Sequence, residues 1–320
     1  MLPFLDAIQP DLERVNATIV ERLYSEEPLV EDIGRHLINA GGKRLRPILV
    51  LMTANAMDYG GKHHIDIAAI IEFIHTATLL HDDVVDVSEL RRGLPTANAT
   101  WGNAPSVLVG DFLYSRSFQM MVAMGDMRVM QVLANTTNVI AEGEVQQLAN
   151  ARKPDLSEEQ YLSVIYKKTA ALFEAACQCG AIISCDDSAI QSAFSRYGYH
   201  LGLAFQLMDD LLDYDGDPEK LGKNVGDDLA EGKSTLPIIH CVRNCNENER
   251  QLLESAITNA DASNLDSVIA LVKKYDSIGY TREQARKHAN KAIQQLDALP
   301  DSRWKKAMNE LANFAVKRAY

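Results

Sequence analysis

Cysteine is scarce in this sequence of 320 residues: there are five, Cys177, Cys179, Cys185, Cys241 and Cys245, an odd number with no repeated CxxC pair at zinc spacing. That set argues against a disulfide framework and a structural zinc site, and fits reduced thiols in a cytoplasmic chain. No apolar run approaches the ~18 uninterrupted residues that suggest a membrane span. The first residues, MLPFLDAIQPDLERV, carry acids and a proline where a signal peptide needs a basic start and an apolar stretch. Basic residues are in deficit, 32 Lys and Arg against 44 Asp and Glu, for a net charge of -12. The electrostatic footprint of a nucleic-acid binder is therefore missing. Internal repeats, low-complexity tracts and linkers are absent too, so a single domain over 1–320 is expected. Period-two alternation of β-branched residues, the signature of strands, is nearly absent.

What is present is helical. Hydrophobic residues make up 47% of the chain, ample for a large core. Ile67, Ile70, Ile71, Ile74, Thr78 and Leu79 recur in steps of three and four, and the stretches 106–124, 127–149, 158–184 and 189–214 follow the same rhythm. Breaks fall at Gly41-Gly42 with Pro47, Gly60-Gly61, Gly93 to Pro95, Gly102 to Pro105 and Gly216 to Pro218. Ser157 with Gln160 three residues on forms a capping box that should start a helix. The expected fold class is all-α, one bundle of ten or more helices.

Two acidic clusters stand out. DDVVD holds Asp82, Asp83 and Asp86; DDLLD holds Asp209, Asp210 and Asp213. Positions i and i+4 of a helix share a face about 6 Å apart, so Asp82/Asp86 and Asp209/Asp213 read as paired carboxylates. Such a pair repels by about 3 kcal/mol at an effective dielectric near 20, and a divalent cation turns that repulsion into attraction. Oxygen donors without His or Cys favour a hard ion such as Mg²⁺, which takes one or two carboxylates plus substrate phosphates. One DDxxD alone is more simply an acidic helix face. Two, each followed by basic residues, point to a polyanion held between metal and cations.

The cations are Lys43, Arg44 and Arg46 in GGKRLRP, Arg91 and Arg92 after DDVVD, Lys167-Lys168-Thr169, and Lys223 and Lys233 in GKNVGDDLAEGKSTLP. Guanidinium binds phosphate oxygens bidentately. His75 lies seven residues before Asp82, and Gln206 lies four before Asp210, each on its aspartate's helix face. A lone helical His is more commonly a satisfied core residue, but its alignment with the aspartates favours a ligand-binding role.

Taken in order, GGKRLRP, HTATLLHDDVVD with RRG, GEVQQL, KKTA, FQLMDDLLDY and GKNVGDDLAEGKSTLP resemble the motifs of the trans-isoprenyl diphosphate synthase family, across residues 41 to 240. Within it, the chain is most similar to bacterial long-chain synthases of the octaprenyl type. The resemblance implies the isoprenoid synthase fold, a helical bundle around a central cavity, and a homodimer. It implies that isopentenyl diphosphate is added to farnesyl diphosphate, with three Mg²⁺ ions, to give a membrane-bound product for a quinone side chain. Asp82, Asp86 and Asp209 would hold the metal. Lys43, Arg46, His75 and Arg92 would bind isopentenyl diphosphate, and Arg91, Lys168, Thr169, Gln206 and Lys223 the allylic partner, with Lys233 joining the substrate-binding set. Asp82, Asp83, Asp86, Asp209, Asp210, Asp213 and Lys168 would form the catalytic set. The family's C-terminal basic residues are matched only loosely, by Lys317 and Arg318.

Bulky aromatics just before the first aspartate motif block the product tunnel in short-chain relatives. Here Ala77 and Thr78 stand five and four residues before Asp82, about 7.5 Å down the helix for Ala77. An open tunnel is expected there, with Ile74 and Phe73 deeper and Met121, beside Met120 and Met124, able to close a floor. Plain core filling explains the methionines equally well. The alternatives are a synthase of shorter or other product length, a terpene cyclase and a non-catalytic subunit. A cyclase usually carries an Asn/Ser/Glu pattern at its second metal site and has no GGKRLRP. A non-catalytic subunit typically loses motif aspartates or arginines, and none is lost here.

Overall fold

The computed structural model describes the backbone of residues 5–39, 41–91, 93–216 and 225–317, with side chains except at 5 and 39. Helices dominate throughout, and the chain divides into two compact units. One comprises Met1–Thr137, Leu172–Gly198 and Gln295–Asn309; the other Asn138–Ala171, Tyr199–Gln294 and Glu310–Tyr320.

The first unit is organised on α4 (His63–Val85). Ile67, Ile70, Ile71 and Ile74 form the expected stripe, yet Ala68, Ala69 and Ala77 are buried as well. A helix apolar all round belongs inside a core. Accordingly α1 (Leu5–Arg22), α3 (Leu45–Ala56) and α6 (Asn103–Met124) all pack on it. Between α4 and α6 come a short hairpin and α5 (Ala97–Trp101), capped by the Thr96 side chain. The hairpin pairs β1 (Leu90–Arg91) antiparallel with β2 (Leu94–Pro95), Arg91 opposite Leu94, around Gly93 at φ 77°. Its two-residue strands are too short to leave an alternation in the sequence.

The second unit gathers Tyr161, Leu203, Leu207, Leu211, Ile238 and Leu253 into one buried cluster. Its helices include the C-terminal part of α7 (Met127–Asn150), α8 (Glu158–Ile165) and the C-terminal part of α10 (Ser188–Asp215). The Ser157 capping box forms: Gln160 N–H donates to Ser157 Oγ at 3.1 Å and Ser157 N–H to Gln160 Oε1 at 2.9 Å. The stretch 158–184, expected as one helix, is broken in register. A π turn over Tyr166–Ala170 separates α8 from α9 (Ala171–Ser184). Such turns carry one residue more than the α-helical register and recur at functional sites. The five cysteines are unpaired, and burial pushes the thiols of Cys177 and Cys179 far up. Among the described residues no helix is long and apolar enough to cross a membrane.

Candidate active site

In the first unit, DDVVD ends α4. Asp82 and Asp86 are both partly exposed, one turn apart, with Asp86 N–H donating to the Asp82 carbonyl at 2.8 Å. Asp83 differs: it is fully buried and takes Arg91 Nε at 3.0 and 3.1 Å and Nη2 at 2.6 Å. The chain reverses between them through Val87, whose φ of 53° is unusual for a β-branched residue. That strained residue turns the chain into the hairpin that brings Arg91 back over Asp83.

GGKRLRP sorts its cations in a similar way. Gly41 and Gly42 at φ 75° and 150° and Arg44 at 48° bend the chain into α3. The Arg44 guanidinium is committed to Glu72, and both side chains are largely buried. Lys43 stays exposed. Arg46 lies over the Phe173 ring, 4.6 Å from its centroid, and reaches His75 Nε2 at 3.2 Å. Guanidinium can only donate, so His75 accepts at Nε2 and carries its proton on Nδ1. Arg46 and His75 are thus joined directly, and Arg44 is a structural ion pair.

In the second unit the π turn carries Lys167, Lys168 and Thr169. Gly143 of α7 lies against it: a Cβ there would meet Lys167 Cβ at 2.6 Å and Lys168 N at 3.0 Å. Glu142 and Glu144 flank this contact, Lys167 Nζ lying 3.6 Å from Glu142 and Lys168 Nζ 2.8 Å from Glu144. GEVQQL, to which sequence reasoning gave no role, is the surface that seats KKTA. The signal was there in two glutamates around a glycine and two adjacent lysines.

DDLLD does not repeat the first cluster. Asp209 is partly exposed, whereas Asp210 and Asp213 are buried. Asp213 accepts Asp228 N–H at 3.1 Å on its carboxylate, and Gly226 N–H at 2.9 Å on its carbonyl. It therefore anchors the segment that carries Lys233, whose ammonium pairs with Glu231. Asp209 and Asp213, read from the sequence as paired carboxylates, differ in burial: Asp209 is partly exposed and Asp213 is enclosed. Asp210 accepts from Tyr161 and Gln206, each at 2.6 Å, and Thr169 Oγ1 donates to Gln206 Oε1 at 2.8 Å. Tyr161 was not singled out by sequence. A pocket beside these groups is lined by Tyr161, Lys168, Gln206, Asp210, Asp228 and Lys233, among others.

Of the expected chain-length residues, Ile74, Ala77 and Met121 are buried. Thr78 is partly buried and its hydroxyl donates to the His75 carbonyl at 2.8 Å. Arg92, Lys223 and Arg318 lie outside the described residues.

A helical fold with two DDxxD motifs and this set of placed cations defines the all-α isoprenoid synthases. The polyprenyl synthetase family model matches residues 27–275. The chain is 50% identical to octaprenyl diphosphate synthase of Escherichia coli (strain K12), over 96% of each chain. It resembles a crystal structure of decaprenyl diphosphate synthase from Rhodobacter capsulatus, with 47% identity, a TM-score of 0.95 and coverage of 99% of this chain and 98% of that one. It also resembles polyprenyl synthase from Caulobacter crescentus CB15 complexed with calcium and isoprenyl diphosphate, with 43% identity, a TM-score of 0.96 and coverage of 99% and 97%. The chain belongs to the polyprenyl synthetase family, and its chemistry is prenyl transfer.

Proposed function

We propose that this enzyme lengthens farnesyl diphosphate with isopentenyl diphosphate, unit by unit, to octaprenyl diphosphate destined for a quinone side chain. The observation that supports the chemistry best is the split within the aspartate clusters. Asp82, Asp86 and Asp209 are partly exposed while Asp83, Asp210 and Asp213 are buried. Partly exposed oxygen donors fit Mg²⁺. Among the described residues no three His, Cys, Asp or Glu side chains converge on one point, and Mg²⁺ needs only one or two carboxylates beside substrate phosphates. Asp82 and Asp86 would supply that number from one helix face, and Asp209 would serve a further ion of the three. When bound, Mg²⁺ draws negative charge onto the departing diphosphate.

The chain's own groups do the rest. Lys168, Gln206 and Lys233, with Arg91 and Lys223, receive the allylic diphosphate and stabilise it as it leaves. Thr169 orients that end of the site through Gln206. Lys43 and Arg46, with His75 and Arg92, receive isopentenyl diphosphate. The allylic C–O bond breaks first, the diphosphate leaving with the electron pair, and the double bond of isopentenyl diphosphate then attacks the allylic cation. The proton then lost goes to the released diphosphate, so no side-chain base is needed. The growing tail passes Ala77, Ile74 and Met121. The similarity to octaprenyl synthase carries the product assignment.

The chain acts as a single catalytic domain over 1–320 in the cytoplasm, and its product passes to a membrane. A second copy of the chain covers exposed apolar side chains of α6 and α7, among them Leu108, Val122, Met127, Val145 and Leu148, which are 64–69% exposed. Chromatography of the labelled product from farnesyl and isopentenyl diphosphates tests the whole reading. An eight-unit product lost on adding EDTA is expected. A cyclised hydrocarbon, or no product with Mg²⁺ present, would overturn it.

A further inference from the structure

The hydrogen bonds around Asp210 run in one direction. Gln206 Nε2 donates to one oxygen of Asp210 at 2.6 Å and the Tyr161 hydroxyl to the other, which leaves the Gln206 carbonyl facing Thr169. Thr169 has a single hydroxyl proton, and it donates that proton to Gln206 at 2.8 Å. On its other side Thr169 can offer only lone pairs, which suit an ammonium or a water molecule and not a phosphate oxygen. The direction of the whole chain is set at Asp210, which accepts at both oxygens. Its far oxygen is held at 2.6 Å by the Tyr161 hydroxyl. Tyr161 is 3% exposed, and burial first and the Asp210 charge second push its phenol well above the ordinary value, so it remains a donor. Its ring belongs to the same buried cluster as Leu207 and Leu211. Ring and hydroxyl thus have separable tasks, one in the core and one at the pocket shared with Lys168 and Lys233.

We propose that Tyr161 is a positioning residue for the allylic end of the site: through Asp210 it fixes the orientation of Gln206 and Thr169, and so the way the allylic diphosphate is received beside Lys168. The inference rests on the function proposed above. It also moves Asp210 from the catalytic set to a positioning role.

Tyr161→Phe removes the hydroxyl and keeps the ring. It is expected to fold, to raise KM for farnesyl diphosphate about fivefold, the usual reach of one hydrogen bond, and to leave KM for isopentenyl diphosphate within about twofold. Calorimetric binding of inorganic diphosphate in Mg²⁺ should weaken by the same factor. Asp210→Asn should show the same split between substrates. The double variant should be no worse than Asp210→Asn alone, because the hydroxyl acts only through that carboxylate. Fluorotyrosine at 161, which keeps the hydroxyl and strengthens its donation, should bind as tightly as tyrosine. Equal changes for both substrates, or losses that multiply in the double variant, would overturn the assignment. A wild-type enzyme that fails to elongate farnesyl diphosphate would instead sink the function itself. An active wild type indifferent to Tyr161→Phe would sink only this inference.

Discussion

DDVVD and DDLLD have the same spacing at the ends of two apolar helices, and the structure treats them differently. In the first, the enclosed carboxylate of Asp83 meets a charged partner eight residues away, Arg91, brought back by a hairpin. Asp82 and Asp86 stay partly exposed. In the second, Asp209 stays partly exposed, and the enclosed ones also reach partners beyond their own helix, Asp210 to Tyr161 and Asp213 to Asp228. The first cluster is organised by its own neighbourhood. The second depends on tertiary partners, and it organises them in turn.

The comparison is tested most severely at the open carboxylates. Asp82→Ala and Asp209→Ala are each expected to lower turnover about a thousandfold, the scale of losing transition-state electrostatics, with little change in unfolding midpoint. Full turnover in either variant would remove the metal assignment for that cluster. Asp83→Ala should cost about 2–3 kcal/mol of unfolding free energy in denaturant titration, somewhat below the usual figure for breaking a buried ion pair. The discount reflects Arg91, whose side chain is 30% exposed and can hydrate. Replacing both partners, Asp83→Leu with Arg91→Leu, should recover part of the stability but not the activity.

A pH effect separates the second unit from the first. His200 of α10 and His288 of the helix Ser277–Gln295 hold their Nδ1 atoms 3.1 Å apart, and burial, then His200, depresses His288 to about 4. The unfolded chain takes up this proton near pH 6.5 and the folded one near pH 4. The stabilisation is therefore complete above pH 6.5 and is lost as pH falls toward 4, roughly 3 kcal/mol in all. His288→Leu should flatten the melting temperature across that window; an unchanged slope would count against the pair. The smallest change in stability is expected at Ala77. Ala77 and Ala204 stand five residues before Asp82 and Asp209, and both are buried. Ala77→Tyr should fold and shorten products to three or four isoprene units. Ala204→Tyr should instead lose about 1–3 kcal/mol by overpacking. Full-length product from folded Ala77→Tyr would place the tunnel elsewhere.

Much of this was legible because it was periodic or compositional. The α4 stripe, the capping box at Ser157 and the aspartate spacing each rest on interactions within a few residues. The roles of individual side chains were less accessible. Nothing in the spacing of DDxxD tells which carboxylate will be enclosed, since that is decided by Arg91, Tyr161 and Asp228. Arg44 and Arg46 look alike in sequence, yet Glu72 takes one and His75 the other. Product length was the least legible. Relatives of nearly equal identity are described as octaprenyl and decaprenyl synthases.

The π turn gives the stretch 166–170 a property that no substitution reveals. Because it holds one residue more than a regular helix would, deleting a single position such as Lys167 would let α8 run straight into α9. The flanks would keep their phase while the residues inside the turn shift by about 100° per position, taking Lys168 off Glu144 or Thr169 off Gln206. In this segment the number of residues is under constraint as much as their identity, and a one-residue deletion should prove more damaging than alanine at any single site within it.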